Sequence, residues 1–298
     1  MLKKIIGNFQ TILTLIEPKV NSSHRKINYK GYGIRVYDEN QSDSIMILIH
    51  GMGGNQDGTY IASFIDKLVN ENINVLTFDM HGTGESISHP NFHGGGIGDQ
   101  GIMDEVIEWI VNQKKWKNIF AAGYSAGAGV LLSYLCGGNK INNDHKDHIT
   151  YSFFVSPTIS HPEMLVYAKE NNWKLYTYVV TTAHTMNLVK HRLYHKKYSE
   201  IPHIIKNCTF DVLYANIYGS GKTKVFHRHP KDVKIKGLAI YTEDDPITPK
   251  HLMDEYKNYC DVHILEYGGH VGFYNFDGSR ENEKIILRKI KQILNKGE

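Results

Sequence analysis

The 298-residue chain is poor in cysteine: it has three, Cys136, Cys208 and Cys260, all far apart. An odd, scattered set gives neither a disulfide framework nor a paired-cysteine metal site. It suits a reducing compartment, and a cytoplasmic location is expected. No run of about 18 apolar residues occurs, so no stable membrane insertion is expected. Dense basic runs are missing too. The net charge is +3, and "KVNSSHRK" (19–26) and "KHRLYHKK" (190–197) are broken by uncharged residues. Both read as solvated surface, and nucleic acid is not expected as a partner. There is no internal repeat and no low-complexity tract. What remains, 41% apolar and 22% charged, is the composition of an ordinary globular protein.

The N-terminus begins like a secretory signal, with Lys3 and Lys4 ahead of apolar residues. Asn8, Gln10, Thr11 and Thr14 interrupt the run, and no small-x-small cleavage site follows. Ile5, Phe9, Ile12, Leu13 and Ile16 recur at helical spacing. Residues 1–27 are therefore expected to form a short amphipathic helix packed on the body, followed by a linker.

Beyond it, apolar runs of strand length alternate with helical stretches. Strands are expected at 44–51, 73–82, 117–125, 148–157, 235–246 and 261–270. Helices are expected at 60–71, 100–114 (capped by Asp99), 126–138, 249–258 and 279–294. Alternating β and α with fully apolar strands predicts an α/β fold, a mostly parallel sheet with helices on both faces. Residues 158–232 break the rhythm. They are too many for a loop, and a mainly helical cap is expected there. The core is then 28–157 plus 233–298. In such a sheet, chemistry collects at the carboxyl ends of the strands.

One of those ends carries Gly123-Tyr-Ser-Ala-Gly127. A serine lifted on a sharp strand-to-helix turn needs small neighbours, and Gly123 and Gly127 supply the room. The helix starting at Ala126 directs unbonded N–H groups toward Ser125, which suits a developing anion. A hydroxyl of ordinary acidity needs a base. His270 is chosen from 17 histidines by position: it follows the last strand, in the turn-forming "YGGHVGF". The base needs an orienting carboxylate. "YTEDDPITP" (241–249) offers Asp245, with Asp244 as the alternative; either could instead cap the following helix. A second oxyanion donor is expected from "LIHGMGGN" (48–55), where Gly51 starts a glycine loop and the Met52 amide would pair with that of Ala126. No Gly-Lys-Ser/Thr follows, so a phosphate loop is disfavoured.

Together "HGMGG", "FDMHGTGES", "GYSAG", "DDPITP" and "GGHVGF" stand in the usual order of the α/β-hydrolase superfamily, which the chain resembles from about residue 28 to its end. The resemblance implies a serine hydrolase of the esterase, thioesterase or lipase kind, without metal or organic cofactor. "FDMHGTGES" resembles the family's strand-4 loop and would shape the floor of the site.

The expected substrate is a small-molecule acyl ester or thioester. Leu165, Trp173, Leu175, Tyr176, Tyr178, Met186 and Leu188 make the cap apolar; they would line an acyl pocket or form the cap's own core. His161, His184, His191 and His195 match no metal-ligand spacing and read as surface residues. An acyltransferase with the same three residues and a non-catalytic ligand receptor on the same fold stay open as alternatives. A second copy of the chain is admitted as a partner.

Overall fold

The computed structural model describes residues 10–11, 20–38, 41–92, 100–137, 143–157, 167, 174–207, 233–275 and 277–296. Eight strands form one sheet: β1 Arg25–Tyr29, β2 Tyr32–Tyr37, β3 Ser44–Ile49, β4 Asn74–Phe78, β5 Asn118–Tyr124, β6 Ile149–Val155, β7 Gly237–Thr242 and β8 Asp261–Leu265. Their order is β1-β2-β4-β3-β5-β6-β7-β8. The β1–β2 and β2–β4 pairs are antiparallel, and all others are parallel. The α/β, mostly parallel architecture read from the sequence is the one observed.

The helices are α1 Thr59–Asn70, α2 Gln100–Asn112, α3 Ala126–Cys136, α4 Lys174–Tyr194, α5 Ile201–Lys206, α6 Lys250–Glu255 and α7 Glu281–Leu294. Side chains along a strand alternate between faces, and here both faces are covered. In β3, Ile45, Ile47 and Ile49 join one core with Ile102, Val106 and Ile110 of α2 and Val130 and Leu131 of α3. Met46 and Leu48 join the opposite core with Phe64 and Leu68 of α1 and Ile286 and Ile290 of α7. Two-sided burial is why these strands are continuous apolar runs. Every residue of α3 is buried, as expected of a helix that is apolar on all sides.

The hairpin β1–β2 lies outside the strands expected from the sequence. Its strand β1 starts at Arg25, before the expected core boundary at residue 28, so residues 25–27 are strand and not linker. Its turn residues Lys30 and Gly31 both have positive φ, 51° and 87°, the backbone signature of a tight hairpin turn. β1 is largely exposed, and so lacks the apolar run that marks the central strands. Several strands are also shorter than expected: β8 ends at Leu265 and β7 at Thr242, leaving His270 and Asp245 on loops.

Between β6 and β7 the described residues are helical, with α4 and α5 joined by a 3-10 turn at Tyr198–Glu200. Leu165 and Trp173 lie outside the described residues, as do His161, Cys208, Asp99 and the side chains of Leu175, Tyr176 and Tyr178. Of the expected N-terminal helix, Gln10 and Thr11 are described, and both are helical. No helix among the described residues is long and apolar enough to cross a membrane.

Candidate active site

The chain leaves β3 toward β4 on one side and returns as β5 on the other. Such a reversal opens a crevice at the carboxyl ends of the two strands. The register pairs Ile49 with Gly123, which sets His50 and Gly51 beside Tyr124 and Ser125. Ser125 stands between β5 and α3 with φ 52° and ψ −120°. A non-glycine residue in that region is strained and needs the surroundings to hold it. They do so: the Ser125 amide donates to the Val155 carbonyl at 2.9 Å, and the Ser125 carbonyl accepts from the Ala128 amide at 3.0 Å. The flanking glycines are spatial necessities. A Cβ on Gly127 would fall 2.3 Å from the His50 carbonyl oxygen, and one on Gly123 would fall 2.6 Å from the Ala128 Cα.

Ser125 Oγ is 2.8 Å from His270 Nε2. His270 Nδ1 is 2.9 Å from Asp245 Oδ2 and 3.2 Å from Oδ1. His270 and Asp245 are both buried, at 0% and 2% exposure, so solvent does not compete for these contacts. A carboxylate only accepts, so the ring proton sits on Nδ1, and Nε2 is left to accept the Ser125 hydroxyl proton. Asp245 Oδ1 also accepts the amides of Ile247 (2.8 Å) and Thr248 (2.9 Å). Asp244 points elsewhere: its Oδ1 accepts the Gly269 amide at 2.8 Å. Burial holds the Asp244 carboxyl above its ordinary range. No side chain caps α6.

The loop after β3 is held from two sides. The Gly51 amide donates to Tyr60 Oη at 2.9 Å. Its carbonyl accepts from the Gly54 amide at 3.2 Å and contacts His50 Nδ1 at 2.8 Å. Because the Met80 amide donates to His50 Nε2 at 3.2 Å, the His50 proton is on Nδ1 and is donated to Gly51. The Gly51–Met52 peptide plane is thereby fixed, with the Met52 N–H opposite the engaged carbonyl. Ala126 opens α3, and amides of a first helical turn have no intrahelical acceptor.

"FDMHGTGES" is organised around Asp79. This residue is 1% exposed and accepts the amides of Gln56 and Glu85, each at 2.8 Å. Burial raises its pKa.

Two readings of residues 158–232 are corrected. His184 and His191 are buried, at 2% and 0% exposure, and are not surface residues. His184 packs edge-on against Phe92. His191 Nε2 donates to the His89 carbonyl at 2.9 Å, fastening α4 to the loop after β4. Aromatic and carbonyl contacts bury these histidines, a reason invisible to residue spacing. Met186 is 54% exposed, so it lines no enclosed pocket, and Leu188 is half-buried. Several contact residues escaped the sequence reading. Tyr60 and His50 order the glycine loop. Ser156 accepts the Val271 amide at 3.2 Å, and Thr11 accepts the His270 amide at 2.8 Å. Ser156 could have been suspected from its place at the end of β6; Thr11 had no local signal.

A serine raised at the switch point of a mostly parallel sheet defines the α/β-hydrolase class, and solved structures of similar fold match nearly the whole chain. The esterase Pf2001 of Pyrococcus furiosus matches with a TM-score of 0.63 at 16% identity, over 94% of this chain and 98% of that one. The esterase EaEST of Exiguobacterium antarcticum matches with a TM-score of 0.56 at 14% identity, over 91% and 99%. Within that class, the chain belongs to the hydrolase family described as serine aminopeptidase, S33, whose profile matches residues 40–270. Its curated relatives include the proteins named phospholipase ABHD3 from Bos taurus and Homo sapiens. Each is 25% identical over 244 residues, 76% of this chain. The chain spans 58% of the length of these relatives.

Proposed function

We propose that the protein is a serine hydrolase that cleaves carboxylic esters through an acyl-enzyme. The observation that carries this reading is the continuous contact from Ser125 Oγ through the His270 ring to Asp245, with Ser125 in a strained turn at the sheet's crevice. In this mechanism His270 Nε2 takes the Ser125 proton as Oγ bonds to the ester carbonyl carbon. The carbonyl electron pair moves onto oxygen, where the Met52 and Ala126 amides receive it. Collapse expels the alcohol, which leaves with the proton from Nε2. Water then repeats the sequence and releases the acid. Asp245 keeps the Nδ1 proton in place and stabilises the imidazolium.

Two points favour a lipid-like acyl ester as substrate: the relatives bear the name phospholipase, and the structural neighbours bear the name esterase. A thioester fits the same chemistry. A cytosolic setting is proposed from the sparse cysteines.

The test is a fluorophosphonate probe and a chain-length series of p-nitrophenyl esters, acyl thioesters and phosphatidylcholine, on wild type and Ser125→Ala. Wild type should label and turn over. Ser125→Ala should lose labelling and fall in kcat by about 1000-fold or more. Labelling that survives the substitution would overturn the nucleophile assignment.

A further inference from the structure

We propose that Gln10 and Thr11, at the far N-terminal end of the chain, are positioning residues for the loop that carries His270. The proposal rests on His270 being the base in the reading above. The loop 268–274 makes a tight reversal in which two non-glycine residues, Val271 and Phe273, have positive φ, 55° and 57°. A branched residue such as Val271 does not rest there unaided, so the reversal depends on its partners.

Most of those partners come from the loops that follow β6 and β7 or from the reversal itself. The Gly269 amide goes to Asp244 Oδ1 at 2.8 Å and the Val271 amide to Ser156 Oγ at 3.2 Å. The Phe273 amide closes the turn on the Gly268 carbonyl at 2.7 Å. Two amides depend on the N-terminal segment. His270's own N–H donates to Thr11 Oγ1 at 2.8 Å, and the Tyr274 N–H donates to Gln10 Oε1 at 2.8 Å. These bonds span 259 and 264 residues of sequence and bracket the reversal at both ends. Thr11 is fully buried, at 0% exposure.

Gly272 gives an independent sign that the two backbones are seated against each other. A Cβ there would lie 2.7 Å from the Gln10 carbonyl oxygen and 3.0 Å from its carbon. The His270 ring hangs from the residue whose amide Thr11 holds. A slip of that amide moves Nε2 away from Ser125, and misplacement by an ångström can cost about 100-fold in rate.

The test uses the full chain with Thr11→Val, which keeps the shape of the side chain and removes the acceptor, and Thr11→Ser, which restores it. The readouts are hydrolysis of p-nitrophenyl butyrate, normalised to titrated active sites, and the rate of fluorophosphonate labelling. Thr11→Val should lower kcat and the labelling rate in parallel, by about 10- to 100-fold, with KM changed by less than about twofold. Thr11→Ser should return both to near wild type. A purely structural role would change the titrated amount of enzyme and leave kcat per site alone. Folded Thr11→Val with wild-type kcat and labelling rate would overturn the proposal. If Thr11→Val does not fold, Gln10→Leu decides by the same readouts, with Gln10→Glu as the acceptor-retaining rescue. Ser125→Ala in parallel separates the two failures. Turnover surviving in Ser125→Ala sinks the catalytic reading; a dead Ser125→Ala beside an unaffected Thr11→Val sinks only the positioning role.

Discussion

Asp245 divides its carboxylate between two tasks: Oδ1 accepts the backbone amides of Ile247 and Thr248, and Oδ2 lies 2.9 Å from His270 Nδ1. The backbone bonds fix the plane of the carboxylate, so its direction toward the imidazole is set before any substrate arrives. Asp245→Asn keeps an acceptor but presents an amide that cannot hold the same ring tautomer. kcat for a p-nitrophenyl ester is expected to fall by about 10,000-fold. A loss of less than tenfold would remove Asp245 from the mechanism.

Asp244 provides the contrast. It is buried, and desolvation raises its pKa above the ordinary carboxylate value. A raised carboxyl pKa means that the folded state holds its proton more firmly than the unfolded state. Its contribution to stability is therefore present at acid pH and lost as pH rises through the folded pKa. Asp244→Asn keeps the acceptor for the Gly269 amide and carries no charge. It should leave activity within about threefold of wild type, and its melting temperature relative to wild type should rise from acid to neutral pH. The opposite trend would mean that the ionised carboxylate is stabilising.

The crevice walls make another prediction. The space for a Cβ at Gly127 is taken by backbone, with the His50 carbonyl oxygen 2.3 Å away. At Gly51 the nearest neighbours are 3.2 Å away. Gly127→Ala should destabilise by about 1–3 kcal/mol or more, and Gly51→Ala by clearly less. Denaturant titration of the two variants checks the order.

Tyr60 Oη accepts the Gly51 amide, and Tyr60→Phe leaves that amide without its acceptor. If the Met52 N–H serves the oxyanion, Tyr60→Phe should lower kcat by about tenfold with KM little changed. A change confined to KM would mean that the loop binds substrate but does not stabilise the transition state.

The attachment of α4 to the loop after β4 should depend on pH. Burial lowers the His191 pKa below the ordinary histidine value of about 6.5. His191 Nε2 donates to the His89 carbonyl, and Nδ1 accepts from Arg192 Nη1 at 2.9 Å. Protonating Nδ1 removes that acceptor and sets a cation against Arg192, with His195 and Lys197 also near. A base with a lowered folded pKa gives stability that is present above the unfolded value and lost as pH falls through the folded one. Melting temperature should therefore drop below about pH 6.5, and the drop should be smaller in His191→Gln. An equal drop in both would assign the acid sensitivity to other groups.

The central strands and the serine turn are legible in local sequence. Central strands buried on both faces must be apolar throughout, and "SIMILI" and "NIFAAGY" say so without help from distant residues. The glycines at 123 and 127 are a local demand of one sharp turn. The remaining features follow from contacts between distant segments. These separate Asp245 from Asp244, neighbours of identical chemistry whose carboxylates point to different partners. They bury the histidines of α4 against the loop after β4, and they bring Thr11 to the amide of His270 across 259 residues. Such contacts depend on where folded elements meet in space. Composition and periodicity record only which face of an element is apolar, so they carry no trace of those meetings.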